Sequence, residues 1–222
     1  KKNKIMQATD HLVSESSFDI YWDNSSQRAW TDVEHLDSLD LYYESQDYIS
    51  HHSRTQFLTQ RLYVWARTLM FNYKYSLLKK HMPPQSTLLD MGCGTGSFLT
   101  FMKKKGYQVF GVENNTNARK VCDENDIKVY PNEAEFSANR FDTITLWHVL
   151  EHLAAPEQRI TNYHILLKPQ GVLVIAAPNF DSHDRIYYHE DWAALDVQRH
   201  LWHFTPKGMI SMVEELGFKL IK

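Results

Sequence analysis

Cysteine is scarce in this chain, and so are long apolar runs and basic stretches. Cys93 and Cys122 are the only cysteines, too few for a disulfide framework, so a reducing cytoplasm is the default location. The 24 lysines and arginines stand against 27 acids, so the basic face that a nucleic-acid partner requires is not expected. The longest apolar run, near residues 172–177, is too short to span a bilayer. No apolar core follows the basic residues 1–4, so no secretory signal is expected.

A glycine-rich turn stands out among the residues that are present. Residues 87–99 read Thr-Leu-Leu-Asp-Met-Gly-Cys-Gly-Thr-Gly-Ser-Phe-Leu, a short apolar strand followed by alternate glycines and a helix start. Glycine lets the backbone turn sharply and lets a ligand approach it closely. Asp90 stands at the end of the strand, where ligands bind in open α/β sheets. Ser97 occupies the place of the third glycine of a dinucleotide fingerprint, and the lysine of a Walker A loop is absent. A purely structural turn is the alternative.

Glu113 ends the next predicted strand. An acid at this position can accept both hydroxyls of a ribose. The alternative is a solvated acid before a turn that Asn114 and Asn115 supply. The glycine turn and Glu113 together favour an adenosine-containing ligand.

Strands and helices alternate from residue 85 onward, which predicts an α/β fold. The pattern indicates a Rossmann-like, doubly wound, mostly parallel sheet with helices on both faces. The strands are expected at 87–91, 108–112, 128–130, 141–147, 172–177 and 218–221, which leaves no residues for a seventh strand. The helices are expected at about 96–105, 116–125, 132–138 (weak), 156–167 and 206–216.

The domain organisation predicted from the chain has two parts. Residues 1–52 form an irregular N-terminal cap, with a strand at 18–22 and a helical turn at 37–43, that either packs on the main domain or closes a substrate pocket as a lid. Residues 53–222 form the main domain, with a leading helix in 53–82 and the sheet domain in 85–222. The helix is expected to pack its apolar stripe on the sheet; the stripe is Phe57, Leu58, Leu62, Trp65, Ala66, Leu69, Tyr73 and Leu77.

Four stretches, in order, resemble the motifs of class I S-adenosylmethionine-dependent methyltransferases. They are the glycine turn, then Phe-Asp-Thr-Ile-Thr-Leu-Trp-His-Val-Leu-Glu-His at 141–152, Leu-Leu-Lys-Pro-Gln-Gly-Val-Leu at 166–173, and Arg-His-Leu-Trp-His-Phe-Thr-Pro at 199–206. The chain is most similar to the branch that includes the ubiquinone-biosynthesis O-methyltransferases, over about residues 53–222.

The resemblance implies roles for individual residues. S-adenosylmethionine would be the cofactor, S-adenosylhomocysteine the product, and no metal is expected. Glu113 would hold the ribose, and Asn114 would lie along the adenine, with Asn132 or Glu133 as further candidates for adenine contact. Trp147 and His148 would flank the sulfonium and the incoming substrate. Asp90, Gly92 and Gly94 would shape the pocket for the methionine end, and Cys93 and Gly96 would be further cofactor-binding residues.

Residues 148–152, His-Val-Leu-Glu-His, also match the inverted zinc-protease motif. That motif needs a helix running through it, whereas an apolar strand directly precedes His148. We therefore expect His148 at a strand end and His152 beyond a turn, and a zinc hydrolase is a remote alternative. His200 and His203 are possible further ligands, but hydrogen bonding or packing is the competing interpretation.

The N-terminal segment resembles a second group. Residues 18–26 and 41–51 look like the approach to the catalytic domain in bacterial methyltransferases that carry a small N-terminal zinc ribbon. No cysteine precedes Cys93, so the zinc ligands of such a ribbon are missing. We interpret the segment as a degenerate ribbon without metal.

The predicted reaction is in-line transfer of a methyl group to a small-molecule or glycan-type acceptor. A general base is required where the nucleophile must lose a proton, and the candidates are His148, His200 and His203. The alternative for each is that it orients substrate or packs. The aromatic residues expected to shape the substrate site and face the cationic donor are Tyr48, Trp147, Tyr187, Trp192 and Trp202. A non-catalytic module that binds an adenosine ligand is the alternative from another class.

Overall fold

The computed structural model describes residues 3–11, 14–33 and 57–221, with side chains from residue 63 onward in the helix that begins at residue 57. It divides into two compact units. The parallel-sheet unit draws on residues 46–146 and 165–174, and the antiparallel-sheet unit on 1–45, 147–164 and 175–222. The predicted boundary between residues 52 and 53 and the helical turn predicted at 37–43 lie outside the described residues, so both stay predictions.

Nine strands and six α-helices occur in the described part of the chain. The strands are β1 (Asn3–Thr9), β2 (Ser17–Asp23), β3 (Arg28–Thr31), β4 (Thr87–Met91), β5 (Gln108–Val112), β6 (Lys128–Tyr130), β7 (Phe141–Trp147), β8 (Leu167–Ala176) and β9 (Trp202–Phe204). The helices are α1 (Phe57–Leu78), α2 (Ser97–Lys104), α3 (Thr116–Glu124), α4 (Pro156–Leu166), α5 (His183–Tyr188) and α6 (Pro206–Glu215).

The parallel sheet has the strand order β6-β5-β4-β7-β8. Leu89 at its centre pairs in parallel with Phe110 on one side and Ile144 on the other. Strands β4 and β7 are buried along most of their length, as expected for central strands of a parallel sheet. The chain order reverses between β4 and β7, so the carboxyl end of β4 lies at the switch point where such sheets bind ligands. The predicted mostly parallel α/β fold is confirmed.

The antiparallel sheet has the order β1-β2-β3-β9 and corrects the expectation of an irregular cap. Ile20 pairs with Thr31, and Ala29 pairs with His203. The strand predicted at residues 18–22 is confirmed as β2, but the cap is a regular sheet in its described part because β9, far along the chain, completes it. Its core is Ala8, Phe18, Ile20, Ala29, Phe180, Leu195 and Val197.

Helix α1 does not bury the apolar stripe predicted for it. Within the described side chains, Trp65 and Tyr73 are about three-fifths exposed, at 60% and 61%. The contacts lie on another face, where Phe71 packs against Phe98 of α2 and Leu78 is buried. Apolar periodicity in α1 is weak, because apolar residues occur all around the helix, so it does not identify the buried face.

Three further expectations near the C-terminus need correction. Strand β8 begins five residues early, since the turn expected at 168–171 already belongs to the strand. Residues 178–204, expected as a loop, contain α5, short 3₁₀ turns and β9. Residues 218–221 form no strand, because the Phe218 N–H closes the end of α6 by donating to the Val213 carbonyl at 3.1 Å.

No helix in the described part of the chain combines the length and the apolar character needed to cross a bilayer.

Candidate functional site

The glycine turn at the carboxyl end of β4 borders open space. Gly92, Gly94 and Gly96 have φ values of 62°, 55° and 69°, in the left-handed region that favours glycine. A Cβ added at Gly96 would lie 2.9 Å from the Cys122 sulfur, so that glycine is needed for packing. A Cβ at Gly94 would meet nothing within 4 Å. A ligand therefore has room to lie against the backbone at Gly94.

Glu113 joins this turn to the end of β5. Its Oε2 accepts a hydrogen bond from the Gly94 N–H at 2.9 Å, and its Oε1 accepts one from the Asn115 N–H at 2.9 Å. Arg119 holds the same loop by donating to the carbonyls of Glu113 and Asn114 at 2.8 and 2.7 Å. Each carboxylate oxygen keeps a further lone pair that a hydroxyl group can use. The structure thus brings together the glycine turn and the acid predicted to hold a ribose.

Asp90 is a buried carboxyl beneath the turn. Its Oδ1 accepts a hydrogen bond from the Thr145 hydroxyl at 2.6 Å on neighbouring β7. Burial raises the pKa of Asp90 to about 7, against the opposing effects of Thr145 and the Lys74 ammonium, and the negative charge of Glu113 adds to the rise. A buried carboxyl with a strongly shifted pKa is typical of functional sites.

Lys74, Thr145 and Arg119 belong to this site but were not predicted. Lys74 is half-buried on α1; burial lowers its pKa and the charge of Asp90 opposes that shift. Lys74 lies one helical turn from Phe71, on the face of α1 that packs against Phe98 of α2, and the sequence did not indicate that face. Thr145 and Arg119 carry no local signal, since strand register and loop geometry position them.

Cys93, predicted as part of the cofactor wall, packs against β5: a Cβ at Gly111 would lie 2.5 Å from its sulfur. The Cys122 thiol donates to the Gly94 carbonyl at 3.3 Å. Burial raises the pKa of both thiols, with Asp90 adding to the rise for Cys93. Both sulfurs are therefore protonated at neutral pH and support the turn by packing.

The residues predicted to contact adenine lie after β5 and β6. Asn114 is exposed, and its carbonyl accepts from Arg119. Asn132 begins the 3₁₀ turn Glu133–Glu135, where its Oδ1 accepts from the Ala134 N–H at 3.0 Å. Glu133 is half-buried in the same turn. An adenine role for any of the three stays a prediction.

His148 follows β7 in a left-handed conformation with φ 58°, uncommon for a residue other than glycine. Its N–H donates to the Ala176 carbonyl at 2.8 Å, which fixes the turn, and its side chain is 64% exposed. Leu150–His152 form a 3₁₀ turn. The expected strand end and turn are confirmed, and the helix that an inverted zinc-protease motif requires is not formed.

His200 and His203, the other two predicted bases, are buried. His203 Nε2 lies 2.9 Å from the Thr31 hydroxyl, which itself donates to the His200 carbonyl. Burial lowers the pKa of His203 to about 3, so this ring is neutral and holds β3 and β9 together. Burial, with the nearby His152, also lowers the pKa of His200. Of the three predicted bases, His148 is the one that is exposed.

The predicted aromatic residues differ in their surroundings. Trp202 donates from Nε1 to the Leu153 carbonyl at 3.0 Å, and the Arg28 guanidinium lies 5.1 Å from its ring centre. Trp192 is partly buried against the core of the antiparallel sheet. Trp147 is half-buried at the end of β7, and Tyr187 is 69% exposed. Tyr48 lies outside the described residues. Trp192 and Trp202 thus serve packing.

The proteins similar to this chain include two curated relatives and a solved structure. A ubiquinone biosynthesis O-methyltransferase of Actinobacillus pleuropneumoniae serotype 5b is 33% identical over 106 residues, covering 41% of this chain and 45% of that relative. An uncharacterised protein of Methanocaldococcus jannaschii is 28% identical over 157 residues, covering 69% of this chain and 74% of that protein. A crystal structure of a SAM-dependent methyltransferase from Archaeoglobus fulgidus superposes with a TM-score of 0.58 at 24% identity, over 70% of this chain and 71% of that one.

A match over most of the chain shows the family to which it belongs. The chain spans less than half the length of the O-methyltransferase relative, at 45%. The sequence profile of a methyltransferase domain, however, matches residues 57–222, which is most of the chain. S-adenosylmethionine is the cofactor that this family and fold imply, and neither indicates a metal. The chain belongs to the methyltransferase domain family and has the fold of the class I S-adenosylmethionine-dependent methyltransferases.

Proposed function

We propose that the chain binds S-adenosylmethionine at the carboxyl ends of β4 and β5 and transfers its methyl group to a small-molecule or glycan-type acceptor. The observation that carries the proposal is the pairing of the Glu113 carboxylate with the Gly94 N–H beside open space. Glu113 retains lone pairs for the ribose hydroxyls, and the buried Asp90 carboxyl beneath supplies negative charge when ionised. The similarity to an O-methyltransferase supports an oxygen acceptor.

Methyl transfer requires alignment more than acid–base chemistry. The acceptor atom attacks the methyl carbon in line as the carbon–sulfur bond breaks, and S-adenosylhomocysteine leaves as a neutral thioether. The enzyme gains most of its rate by holding donor and acceptor together in that geometry. A hydroxyl acceptor also loses a proton, for which His148, exposed at the end of β7, is our proposed base.

Gly94→Ala tests donor binding, and Gly106→Ala is its matched control. Both glycines have positive φ, 55° and 90°, and a Cβ at either meets nothing within 4 Å. Each variant should lose about 1–2 kcal/mol of stability through left-handed strain. Only Gly94→Ala should weaken S-adenosylhomocysteine binding, by roughly 10-fold or more, because its methyl group occupies the donor's space. Calorimetry that finds equal affinities in the two variants, or no binding to the folded wild type, would refute the proposed site.

The role of His148 is tested by methyl transfer from labelled S-adenosylmethionine across a panel of phenolic, sugar and amine acceptors. With a hydroxyl acceptor, His148→Asn should lower kcat by about 10²–10⁴-fold and change donor affinity far less. His183→Asn, a change of another histidine in the same unit, should leave both unchanged. An equal kcat for His148→Asn and wild type would exclude His148 as the base. Donor binding without transfer to any acceptor would favour the non-catalytic alternative.

We infer a cytoplasmic location from the cysteine content. Both thiols are free in the structure, as a reducing compartment maintains them. Cell fractionation tests this inference, and recovery of the protein outside the cytoplasmic fraction would contradict it.

A further inference from the structure

We propose that a cleft in the antiparallel-sheet unit binds a linear ligand that carries primary ammonium groups, of the alkyl diamine class. The cleft lies between α6 and the turn that joins β2 to β3, and Glu157 in the first turn of α4 also lines it. Its volume is about 310 Å³. Its residues are not those of the proposed donor site, so the inference does not depend on the proposed methyl transfer.

The first observation is that the hydroxyl groups of the cleft have already donated their hydrogens. Ser25 and Ser26 donate from Oγ to the Asp23 carboxylate at 2.7 and 2.8 Å, and Ser211 donates from Oγ to Glu215 Oε1 at 2.9 Å. The bonds from the two turn serines hold the pKa of Asp23 well below its usual range, so this carboxylate stays ionised. A hydroxyl has a single hydrogen to donate, so each of the three serines offers a ligand only lone pairs.

The second observation is that the guanidinium in the cleft is already engaged. Arg28 is the one cation among the described residues that line the cleft. It forms an ion pair with Glu157, donates from its other terminal nitrogen to the Met212 sulfur at 3.1 Å, and lies 5.1 Å from the Trp202 ring centre. Its Nε is buried. Arg28 therefore lacks the open pair of donors with which an arginine grips a carboxylate or phosphate.

The balance of charge around the cleft favours a cationic ligand. The carboxylates of Glu157 and Glu215 line it and that of Asp23 lies behind the turn serines, against the single charge of Arg28. Carboxylate oxygens accept more than one hydrogen bond each, so the existing bonds leave capacity for a ligand. A wall of acceptors with surplus negative charge is matched by an ammonium group, which has three donors and no acceptor.

The shape and the apolar part of the cleft indicate the rest of the ligand. Gly208, Ser211, Met212 and Glu215 are spaced as one face of α6, so the cleft follows this helix for about 10 Å. Met212 and Leu216 give it an apolar surface between the polar groups. Methylene groups pack on such a surface while a terminal charge stays with its polar partners. A linear alkyl chain with terminal ammonium groups therefore fits the cleft.

The test compares three small molecules of equal chain length on the full chain. Putrescine is the diamine, butanediol with terminal hydroxyls is its neutral counterpart, and succinate is its anionic counterpart. Calorimetry and ligand-observed NMR should detect putrescine binding, weakened by added salt, and little or no binding of the other two. This comparison needs no variant, so it does not depend on how a substitution affects folding.

Two variants on α6 place the binding in the cleft, with Glu214 as the site of the matched controls. Glu215→Gln should weaken putrescine binding by roughly 5-fold or more, and Ser211→Trp should abolish it by filling the cleft. Glu214 is exposed and does not line the cleft. Glu214→Gln removes the same charge, and Glu214→Trp adds the same ring. Both controls should bind putrescine as the wild type does.

Three results would each overturn the proposal. The first is a folded wild type that does not bind putrescine. The second is butanediol or succinate binding as tightly as putrescine, because the ligand class would then be wrong. The third is equal putrescine affinity in Glu215→Gln and Glu214→Gln, which would mean general attraction of a cation to a chain of net charge −3. S-adenosylhomocysteine calorimetry on the same samples tests the donor site separately, so failure of one proposal is distinguishable from failure of the other.

Discussion

At the scale of the residue, the ionisation of Asp90, at the carboxyl end of β4, affects the free energy of unfolding. Its carboxyl is buried, and its pKa is raised from 3.8 to about 7. The carboxyl group therefore titrates near neutral pH in the native state. In the unfolded chain it is already ionised at neutral pH. A cationic donor bound at the proposed site would favour the ionised form of Asp90. Donor binding near pH 7 should thus release a proton.

Asp90→Asn should remove a pH dependence of stability. Between pH about 4 and about 7 the native state keeps a proton that the unfolded state has released, so the free energy of unfolding falls as pH rises, and it levels off above pH about 7. The total fall is at most about 4 kcal/mol, from roughly three pKa units at 1.4 kcal/mol each. Urea titrations at several pH values should show this slope in the wild type and not in Asp90→Asn.

Asp142 provides a control, because its pKa is shifted in the opposite direction to that of Asp90. Burial acts to raise its pKa, but hydrogen bonds from Lys168 and Thr87 outweigh burial, so its pKa is lowered from 3.8. Its contribution to stability is present above pH about 4 and is lost as pH falls through its folded pKa. Asp142→Asn should therefore flatten the acid side of the curve only. Identical slopes for wild type and Asp90→Asn would contradict the burial argument.

At the scale of the element, helix α1 exposes several apolar side chains among those that the structure describes. Trp65→Lys and Leu69→Lys, at positions 60% and 49% exposed, should change the free energy of unfolding by no more than about 0.5 kcal/mol. Leu78→Ala, at a position 2% exposed, should cost about 2–5 kcal/mol. Denaturant unfolding of the three variants measures this. A loss above 2 kcal/mol in either lysine variant would mean that the exposed face is covered in solution.

Elements governed by local chemistry were predictable from the sequence, and those governed by distant pairing were not. The glycine turn and α6 with its Thr205 cap carry their own backbone signals, and Glu113 directly follows β5, so their positions were confirmed. The regular N-terminal sheet was missed because its closing partner, His203, is 172 residues from Thr31. Thr145 was missed as a partner of Asp90 because only the register of β7 on β4 reveals it. The buried face of α1 was mispredicted because periodicity cannot identify which side meets a neighbour.

At the scale of the whole molecule, Gly208 shows how closely distant segments approach. A Cβ there would lie 2.3 Å from the Gln27 carbonyl oxygen and 2.7 Å from that of Ser26. Glycine to alanine inside a helix usually stabilises a protein by about 0.5–1 kcal/mol. Gly208→Ala should instead destabilise it, by about 1–3 kcal/mol, because backbone atoms cannot move aside as a flexible side chain can. Thermal unfolding gives the sign, and a stabilised variant would show that the turn after β2 is not held against α6.

Because β3 pairs with β9, the edge of β3 stays unpaired on the ribosome until β9 has been synthesised. Thr31 and His203 are 172 residues apart, so at about 5–20 residues per second the free edge of β3 waits roughly 10–35 s for its partner. An unpaired strand edge is a template for association with other chains. Nascent chains stalled before residue 202 should therefore be prone to aggregation and dependent on chaperones, whereas chains released after residue 204 should not.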